Sequence, residues 1–212
     1  MSSVLFLFLT HLGIGIAATL LLVGRDAGVK FFRFNAGLAV VLLLIALAFQ
    51  PPALSNGVLE TIGTAALVLA TLLLLVYWAS VGRVLSGIRT YLLLVAVTAG
   101  VVALISQALG LSTGEMGLSH PLTVVSFLSS AALLGGACTA MILGHWYLVL
   151  PSMDVSLLQS IVRFHIGSTV VRIVVVAAVV FVALNAWQAP SGASYSQYIF
   201  SCLLYTSDAA DE

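Results

Sequence analysis

Residues 91–109 read YLLLVAVTAGVVALISQAL, a continuous run without a single charged side chain. A helix of about 20 mostly apolar residues is long enough to cross a hydrocarbon layer about 30 Å thick. Because lipid offers the backbone no hydrogen-bond partners, a helix that bonds its own backbone groups internally is the expected conformation. The stretch therefore predicts a transmembrane helix, and it sets the class of the fold.

Segments of the same character recur along the chain, and charged, glycine or proline residues mark their ends. We predict an all-α, polytopic transmembrane helical bundle that forms a single domain over residues 1–201. Residues 151–164, PSMDVSLLQSIVRF, place their apolar side chains near one helical face, which predicts a short interfacial helix at about 154–163. The six predicted spans are Val4–Val23, Phe31–Phe49, Ile62–Val81, Tyr91–Leu109, Leu122–Leu150 and Ile166–Trp187.

Composition limits the classes of function. The chain of 212 residues is 62% apolar and only 7% charged, whereas about 25% of an average soluble domain is charged. So few charges cannot coat a water-facing globule, which excludes soluble and nucleic-acid-binding classes and makes the lipid bilayer the first partner. No Walker loop, GxSxG sequence or dinucleotide-binding fingerprint occurs, so independent enzymatic activity is not favoured.

The distribution of basic residues predicts the orientation. Short loops rich in lysine and arginine remain in the cytoplasm. The loops after the second and fourth predicted spans hold no lysine or arginine. We therefore predict a protein of the bacterial cytoplasmic (inner) membrane with its N-terminus outside and its basic loops cytoplasmic. The bases in the loops after the first, third and fifth spans are Arg25, Lys30, Arg33, Arg83, Arg89 and Arg163.

The C-terminal residues 202–212, CLLYTSDAADE, resemble the conceptual translation of a transposase sequencing adapter. The resemblance implies a gene fragment whose authentic sequence ends near Ser201. We therefore expect a truncated chain in which Tyr195–Phe200 begins a possible seventh span. Without residues 202–212 the chain has four acidic and seven basic residues, a net charge of +3 instead of zero.

Polar residues inside the last two spans suggest a cofactor site on the cytoplasmic side. Ionisable groups are costly in a membrane, so each is a candidate for function. His165 and Arg172 lie seven residues apart on one helical stripe, with Ser168 and Thr169 between them. Paired with His145, His165 is a candidate axial ligand of the iron of a b-type haem. The alternatives are a quinone pocket and a purely anchoring role for the same side chains, which are His145, Trp146, Tyr147, His165 and Arg172.

A second candidate site lies towards the predicted outer side. His11 shares a helical face with Gly15 and Ala18, which predicts that His11 points into the bundle. A set of outer residues is a candidate external proton or metal site, although no metal-binding motif accompanies it. These residues are His11, Glu60, Glu115 and His120. In the fifth span, the four-residue spacing of Gly136, Ala140 and Gly144 predicts close helix packing.

The run GHWYL at 144–148, followed by Pro151 and residues 157–163, resembles a segment of uncharacterised polytopic bacterial inner-membrane proteins. The helix count and scattered histidines are also similar to membrane-anchor subunits of polysulfide-reductase-type respiratory complexes and to copper-resistance-type membrane proteins. No residue role comes with these resemblances.

The leading hypothesis for function is a haem- or quinone-binding membrane subunit of a respiratory or electron-transfer system, with other respiratory subunits as partners. The first alternative is a secondary transporter or channel whose path uses Arg172, Glu60 and His11. The second is a non-catalytic membrane scaffold.

Overall fold

The computed structural model describes residues 2–24, 27–50, 57–82, 88–111, 119–149 and 155–186. Within these ranges the chain is helical and contains no strand, which confirms the predicted all-α class. The predicted start of a seventh span lies outside the described residues. The six helices are α1 Ser2–Thr19, α2 Gly28–Ala48, α3 Val58–Ser80, α4 Arg89–Leu111, α5 Ser119–Val149 and α6 Val155–Ala186.

Five of these helices, α2 to α6, are long and apolar enough to cross a membrane, whereas α1 is shorter. The first predicted span extended to Val23, but α1 ends at Thr19. Beyond that point the N–H groups of Leu21 and Leu22 donate to the carbonyls three residues earlier. Such bonds tighten the last turn of a helix and end its regular ladder.

The interfacial helix predicted at about 154–163 is not separate from the sixth span, because Val155–Ala186 is one continuous helix. The sequence between Val155 and Ile166 contains neither proline nor glycine, so nothing interrupts the backbone hydrogen bonds. Arg163 and Phe164, the expected break, lie in the middle of a regular helix.

The chain forms two compact units, Met1–Arg172 and Ile173–Glu212. In the first unit, α2, α3, α4 and α5 pack in chain order, and a contact between α2 and α5 closes the ring. Helix α1 packs against α2, α4 and α5, and almost every residue from Leu9 to Thr19 is buried. It is therefore the central helix of that unit. The described part of the second unit, residues 173–186, is helical and carries mostly exposed apolar side chains at 173–182.

A close crossing joins α1 to α5. A Cβ atom on Gly15 would overlap the backbone of Ala131, and one on Gly135 would overlap the backbone of Gly15. One turn further along, the hydroxyls of Thr19 and Thr139 are 2.6 Å apart, and both residues are fully buried. Small residues allow this approach of two backbones.

The crossing lies one residue away from the predicted stripe of small residues on α5. Gly136 faces Phe164 and His165 of α6, and Gly144 has open space where a Cβ would lie. The residues that contact α1 are instead Ala131, Gly135 and Thr139.

Candidate functional site

Two serines of α5 hold an arginine of α6. The Nη1 atom of Arg172 donates to the backbone carbonyl of Ser126 at 2.7 Å, to its hydroxyl at 2.9 Å and to the hydroxyl of Ser129 at 3.3 Å. An arginine at the centre of a membrane helix costs about 2.5–3.5 kcal/mol on insertion scales. A hydrogen bond from a charged group contributes roughly 1.5–3 kcal/mol. The serine oxygens are thus sufficient to offset most of that cost.

His11 of the central helix α1 packs against the same segment of α5. It is 6% exposed, and its Nδ1 atom lies 2.6 Å from the carbonyl oxygen of Leu7. A carbonyl only accepts, so we assign the proton to Nδ1, which makes Nε2 the acceptor of the neutral ring. The ring packs on Phe127, with centroids 4.7 Å apart and planes tilted by 58°. Phe127 follows Ser126 directly in the sequence, so His11 packs on the same segment of α5 that binds Arg172.

We define the His11–Arg172 site as His11, Ser126, Phe127, Ser129 and Arg172. Three helices contribute to it, and each has a distinct part. The central helix α1 fixes the imidazole, α5 supplies the aromatic ring and the serine oxygens, and α6 supplies the cation. The site therefore combines one charged donor and one neutral acceptor with an aromatic surface inside an apolar bundle.

This grouping differs from the expected one, in which Arg172 joined His145 and His165. The ring of His165 lies near Gly136, whereas Arg172 bonds to Ser126 and Ser129. Helix α6 therefore runs antiparallel to α5 in this region, and Arg172 lies about 10 Å further along α6 than His165. Arg172 thereby lies at the segment of α5 that also carries Phe127, on which His11 packs.

The two histidines expected to bind haem or quinone, His145 and His165, lie at different positions along the axis of α5. His145 is exposed near the end of α5, and His165 lies opposite Gly136, nine residues earlier on that helix. Nine residues correspond to about 13.5 Å of helical rise, so the structure does not bring the two imidazoles together. Nδ1 of His165 is buried and has no hydrogen-bond partner among the described residues.

The two aromatic residues next to His145 are half-buried, as is typical of side chains near a membrane interface. Trp146 meets Phe31 edge-on, with ring centroids 6.4 Å apart. Tyr147 follows it in the same turn of α5. Trp146 and Tyr147 lie 17 and 18 residues after Ser129 on α5, about 25 Å along the helix, so they are not part of the His11–Arg172 site.

Of the outer residues, Glu60 is half-buried in the first turn of α3 and His120 lies in the first turn of α5. Glu115 lies outside the described residues. In the part of the chain that the structure describes, no group of three His, Cys, Asp or Glu side chains is arranged to hold a metal ion. His11 is therefore associated with Arg172 rather than with a described cluster of metal ligands.

Sequence reasoning missed three kinds of residue. Ser126 and Ser129 are a polar pair spaced by three on an apolar helix, which is a signal that was available in the sequence. Phe127 carries no such signal, because phenylalanine is common in spans. Asn35 is fully buried, its amide donates to Phe31 at 3.0 Å, and its Oδ1 has no partner within the described ranges.

Comparisons of the chain with protein families, with curated proteins and with solved structures found no match. The function is therefore argued from the chemistry of the described residues.

Proposed function

We propose that this chain is a quinone-binding membrane subunit of an electron-transfer system, and that the quinone binds at the His11–Arg172 site. One observation carries the proposal. Ser126 and Ser129 fix the guanidinium of Arg172, and Phe127, next to Ser126 on α5, packs on the buried imidazole of His11. Both groups therefore have defined positions before any ligand arrives, which reduces the cost of ordering them on binding.

The chemistry of the two groups suits a quinone head group. A quinone carries two carbonyl oxygens on a planar ring, and its reduced form carries two hydroxyls. Arg172 has further N–H donors for a carbonyl oxygen, and Nε2 of His11 accepts from a hydroxyl. Phe127 provides an aromatic surface for the ring. The exposed neighbours Val170 and Val171 face the lipid, from which an apolar carrier approaches.

The charge of Arg172 also favours a ligand rich in oxygen atoms. Its hydrogen bonds to α5 are to neutral oxygens of Ser126 and Ser129. In the described part of the chain, Glu60 is the single acidic residue. The serines solvate the positive charge without neutralising it, so an electron-rich oxygen stabilises it further.

The haem hypothesis receives less support from the geometry, because it needs both His145 and His165 at one iron. A haem clasped by two helices requires its ligands at similar depth on facing sides. Here His145 is exposed and the level of His165 differs by about 13.5 Å along α5.

A secondary transporter or channel is the second candidate. The location of His11 and Arg172 at the same segment of α5 favours it, because that hypothesis expected both residues on one path. The described helices run without the mid-helix breaks typical of transporter binding sites. We therefore place it after the quinone subunit, with the non-catalytic scaffold as the outcome if neither ligand nor flux is found.

The test is quinone binding by the full chain in lipid nanodiscs, measured with a short-chain quinone by isothermal titration. We expect Arg172→Gln to weaken binding by about ten-fold or more, because a charged hydrogen bond is lost. Arg163→Gln is the matched control, since Arg163 is an exposed arginine on the same helix. Equal affinity in both variants, or no binding by the unaltered chain, would contradict the proposal.

A reduced-minus-oxidised absorption spectrum of the same preparation tests the haem alternative. A haem band that disappears in both His145→Ala and His165→Ala would favour that alternative over ours. If neither quinone nor haem is found, proton-coupled solute flux into proteoliposomes decides between the transporter and the scaffold.

We further propose that the protein lies in the bacterial inner membrane with six crossings and its N-terminus outside. The 18 residues of α1 rise about 27 Å, close to the thickness of the hydrocarbon layer. The excess of basic residues in the connections after α1, α3 and α5 and in the first turns of the helices that follow them supports the orientation. A reporter fused within residues 51–60 should be inactive if it requires the cytoplasm, and activity there would reverse the orientation.

A further inference from the structure

A groove of about 560 Å³ lies along α2 beside the end of α3, and we call it the α2–α3 groove. We propose that the α2–α3 groove binds an anionic phospholipid, with the phosphate on its basic end and an acyl chain along its apolar end. This inference is independent of the His11–Arg172 site. The lining residues that carry it are Lys30, Arg33, Phe34, Gly37, Val41 and Trp78.

The pattern of α2 separates charge from apolar surface along one face. Lys30, Arg33 and Phe34, Gly37 and Val41 follow helical spacing, so they share that face. The two cations lie in the first two turns, and the exposed side chains of Val41 and Ile45 continue the stripe without charge. From Phe34 to Ile45 the helix rises about 16 Å, close to half of a hydrocarbon layer about 30 Å thick. The groove, together with the exposed apolar stripe that continues it from Val41 to Ile45, therefore has the polarity and the length of a lipid in one leaflet.

Trp78 fixes the basic end of the groove. The Arg33 guanidinium carbon lies 5.4 Å from the centroid of the Trp78 ring, which is within cation–π range. Gly37 makes room for the indole, because a Cβ at this position would come within 2.8 Å of Trp78 Nε1. Tryptophan side chains are enriched where the head groups meet the hydrocarbon. The indole thus holds Arg33 at the depth of a lipid phosphate.

Charge complementarity favours an anionic occupant. The segment 25–33 carries Arg25, Lys30 and Arg33 against the single acid Asp26, and the side chains of Lys30 and Arg33 are exposed. Within the described ranges the single acidic residue is Glu60, in the first turn of α3, whereas Trp78 is in the last turn. Basic pockets between transmembrane helices bind anionic head groups, and a surface cation contributes about five-fold in affinity. A zwitterionic lipid gains less, because its own ammonium group opposes the two cations.

The experiment uses Trp78 as the probe. The chain has three tryptophans, so Trp146→Phe and Trp187→Phe together leave Trp78 as the single indole. This variant is reconstituted into phosphatidylcholine vesicles doped with either brominated phosphatidylglycerol or brominated phosphatidylcholine, and fluorescence quenching is compared. We expect a several-fold stronger quenching by the brominated anionic lipid at equal doping. Equal quenching by the two lipids would overturn the proposal.

Charge-removing variants test the assignment of the phosphate. In the Trp78-only background, Lys30→Gln with Arg33→Gln should abolish the preference while quenching by brominated phosphatidylcholine persists. Arg163→Gln is the matched control and should retain the preference, since it removes a base from another helix. A preference that survives in the Lys30 and Arg33 variant would contradict the assignment. Should that variant fail to fold, Lys30→Gln alone, which leaves Arg33 over the Trp78 ring, provides the same test, and we expect it to reduce the preference.

Free phosphate is the other source of the same chemistry, and one further measurement separates it from the lipid. Inorganic phosphate is added to protein in vesicles that contain brominated phosphatidylglycerol. We expect the quenching to persist, because the acyl chain holds the lipid in the groove. Loss of quenching at millimolar phosphate and constant ionic strength would show that the groove recognises the anion without the lipid.

Discussion

The two helices that carry the His11–Arg172 site, α1 and α6, differ in their surroundings more than in their composition. Helix α1, the shortest of the six described, is buried along almost all of Leu9–Thr19. Helix α6 has 32 residues, and only 11% of its membrane-spanning window is buried. Both are strongly apolar, so apolarity does not determine which helix becomes the centre.

Small and polar residues make the difference. The buried part of α1 contains Gly13, Gly15 and Ala17 together with the hydroxyls of Thr10 and Thr19. In α6, residues 170–182 are mostly valine and isoleucine, and most of them are exposed. In lipid the hydrophobic effect does not drive helices together, so close packing and interhelical hydrogen bonds select the central helix. The central α1 keeps His11 buried, whereas α6 carries Arg172 between the exposed side chains of Val171 and Ile173.

The largest difference between α1 and α6 is expected when a glycine in each helix is replaced by alanine. Gly15→Ala places a methyl group into the backbone of Ala131, which cannot move aside as a side chain can. Gly167→Ala in α6 meets nothing within 4 Å. We expect the first to lower the free energy of unfolding by about 3 kcal/mol or more. The second should raise it by up to about 1 kcal/mol, because alanine favours the helix.

The measurement is unfolding in mixed detergent micelles, followed by circular dichroism. Gly144→Ala is a second control, since Gly144 lies on α5 and also has open space around it. Similar stability of the Gly15 and Gly167 variants would mean that α1 is not packed against α5 as described.

The helical class and the approximate helix positions follow from the apolar runs, because backbone hydrogen bonding in lipid leaves no alternative to a helix. Which helix is central does not follow, because it depends on the approach of Gly15 to Gly135. Small-residue spacing pointed to α5, but one-residue differences such as Gly135 against Gly136 decide the contacting face.

The sequence predicts which residues of the candidate site are unusual, but it does not predict which of them meet. His11 and Arg172 each stand out as ionisable residues in apolar runs, but their partnership depends on the register of α6. Phe164 and His165 were expected at the start of the span, whereas they lie inside a continuous helix. Whether a helix breaks is decided by a few backbone hydrogen bonds, and one apolar sequence is compatible with both outcomes.

Replacing a buried isoleucine of α1 and an exposed isoleucine of α6 by alanine should give a smaller difference in the free energy of unfolding. Ile16 in α1 is fully buried, whereas Ile166 in α6 is 58% exposed. Ile16→Ala should lower the free energy of unfolding by roughly 2–3 kcal/mol, because the surrounding side chains do not fill the space left. Ile166→Ala should change it by less than about 0.5 kcal/mol, since lipid or detergent fills the space. The same unfolding assay measures both, and a large loss for Ile166→Ala would indicate that another surface covers α6.

The smallest expected effect concerns single hydroxyls. The Thr19 hydroxyl donates to the carbonyl of Ile16 at 2.7 Å, so the Thr139 hydroxyl is the donor of the 2.6 Å bond between the two threonines. Thr169 in α6 instead donates to His165 of its own helix. Thr139→Val should cost about 1 kcal/mol, and Thr169→Val close to nothing, because only the first loses an interhelical bond.

A double-mutant cycle of Thr19→Val and Thr139→Val isolates that bond from the change in side-chain shape. We expect a coupling free energy of about 0.5–1.5 kcal/mol between the two positions. The cycle is informative even if each single change is small, because coupling requires that the hydroxyls meet. The parallel packing of α1 and α5 brings Gly15 to Gly135 and Thr19 to Thr139. Additive losses would mean that the two threonines do not meet. Strong coupling would also support the packing of His11 on Phe127, since these residues lie one turn before Gly15 and Ala131, which meet at the same crossing.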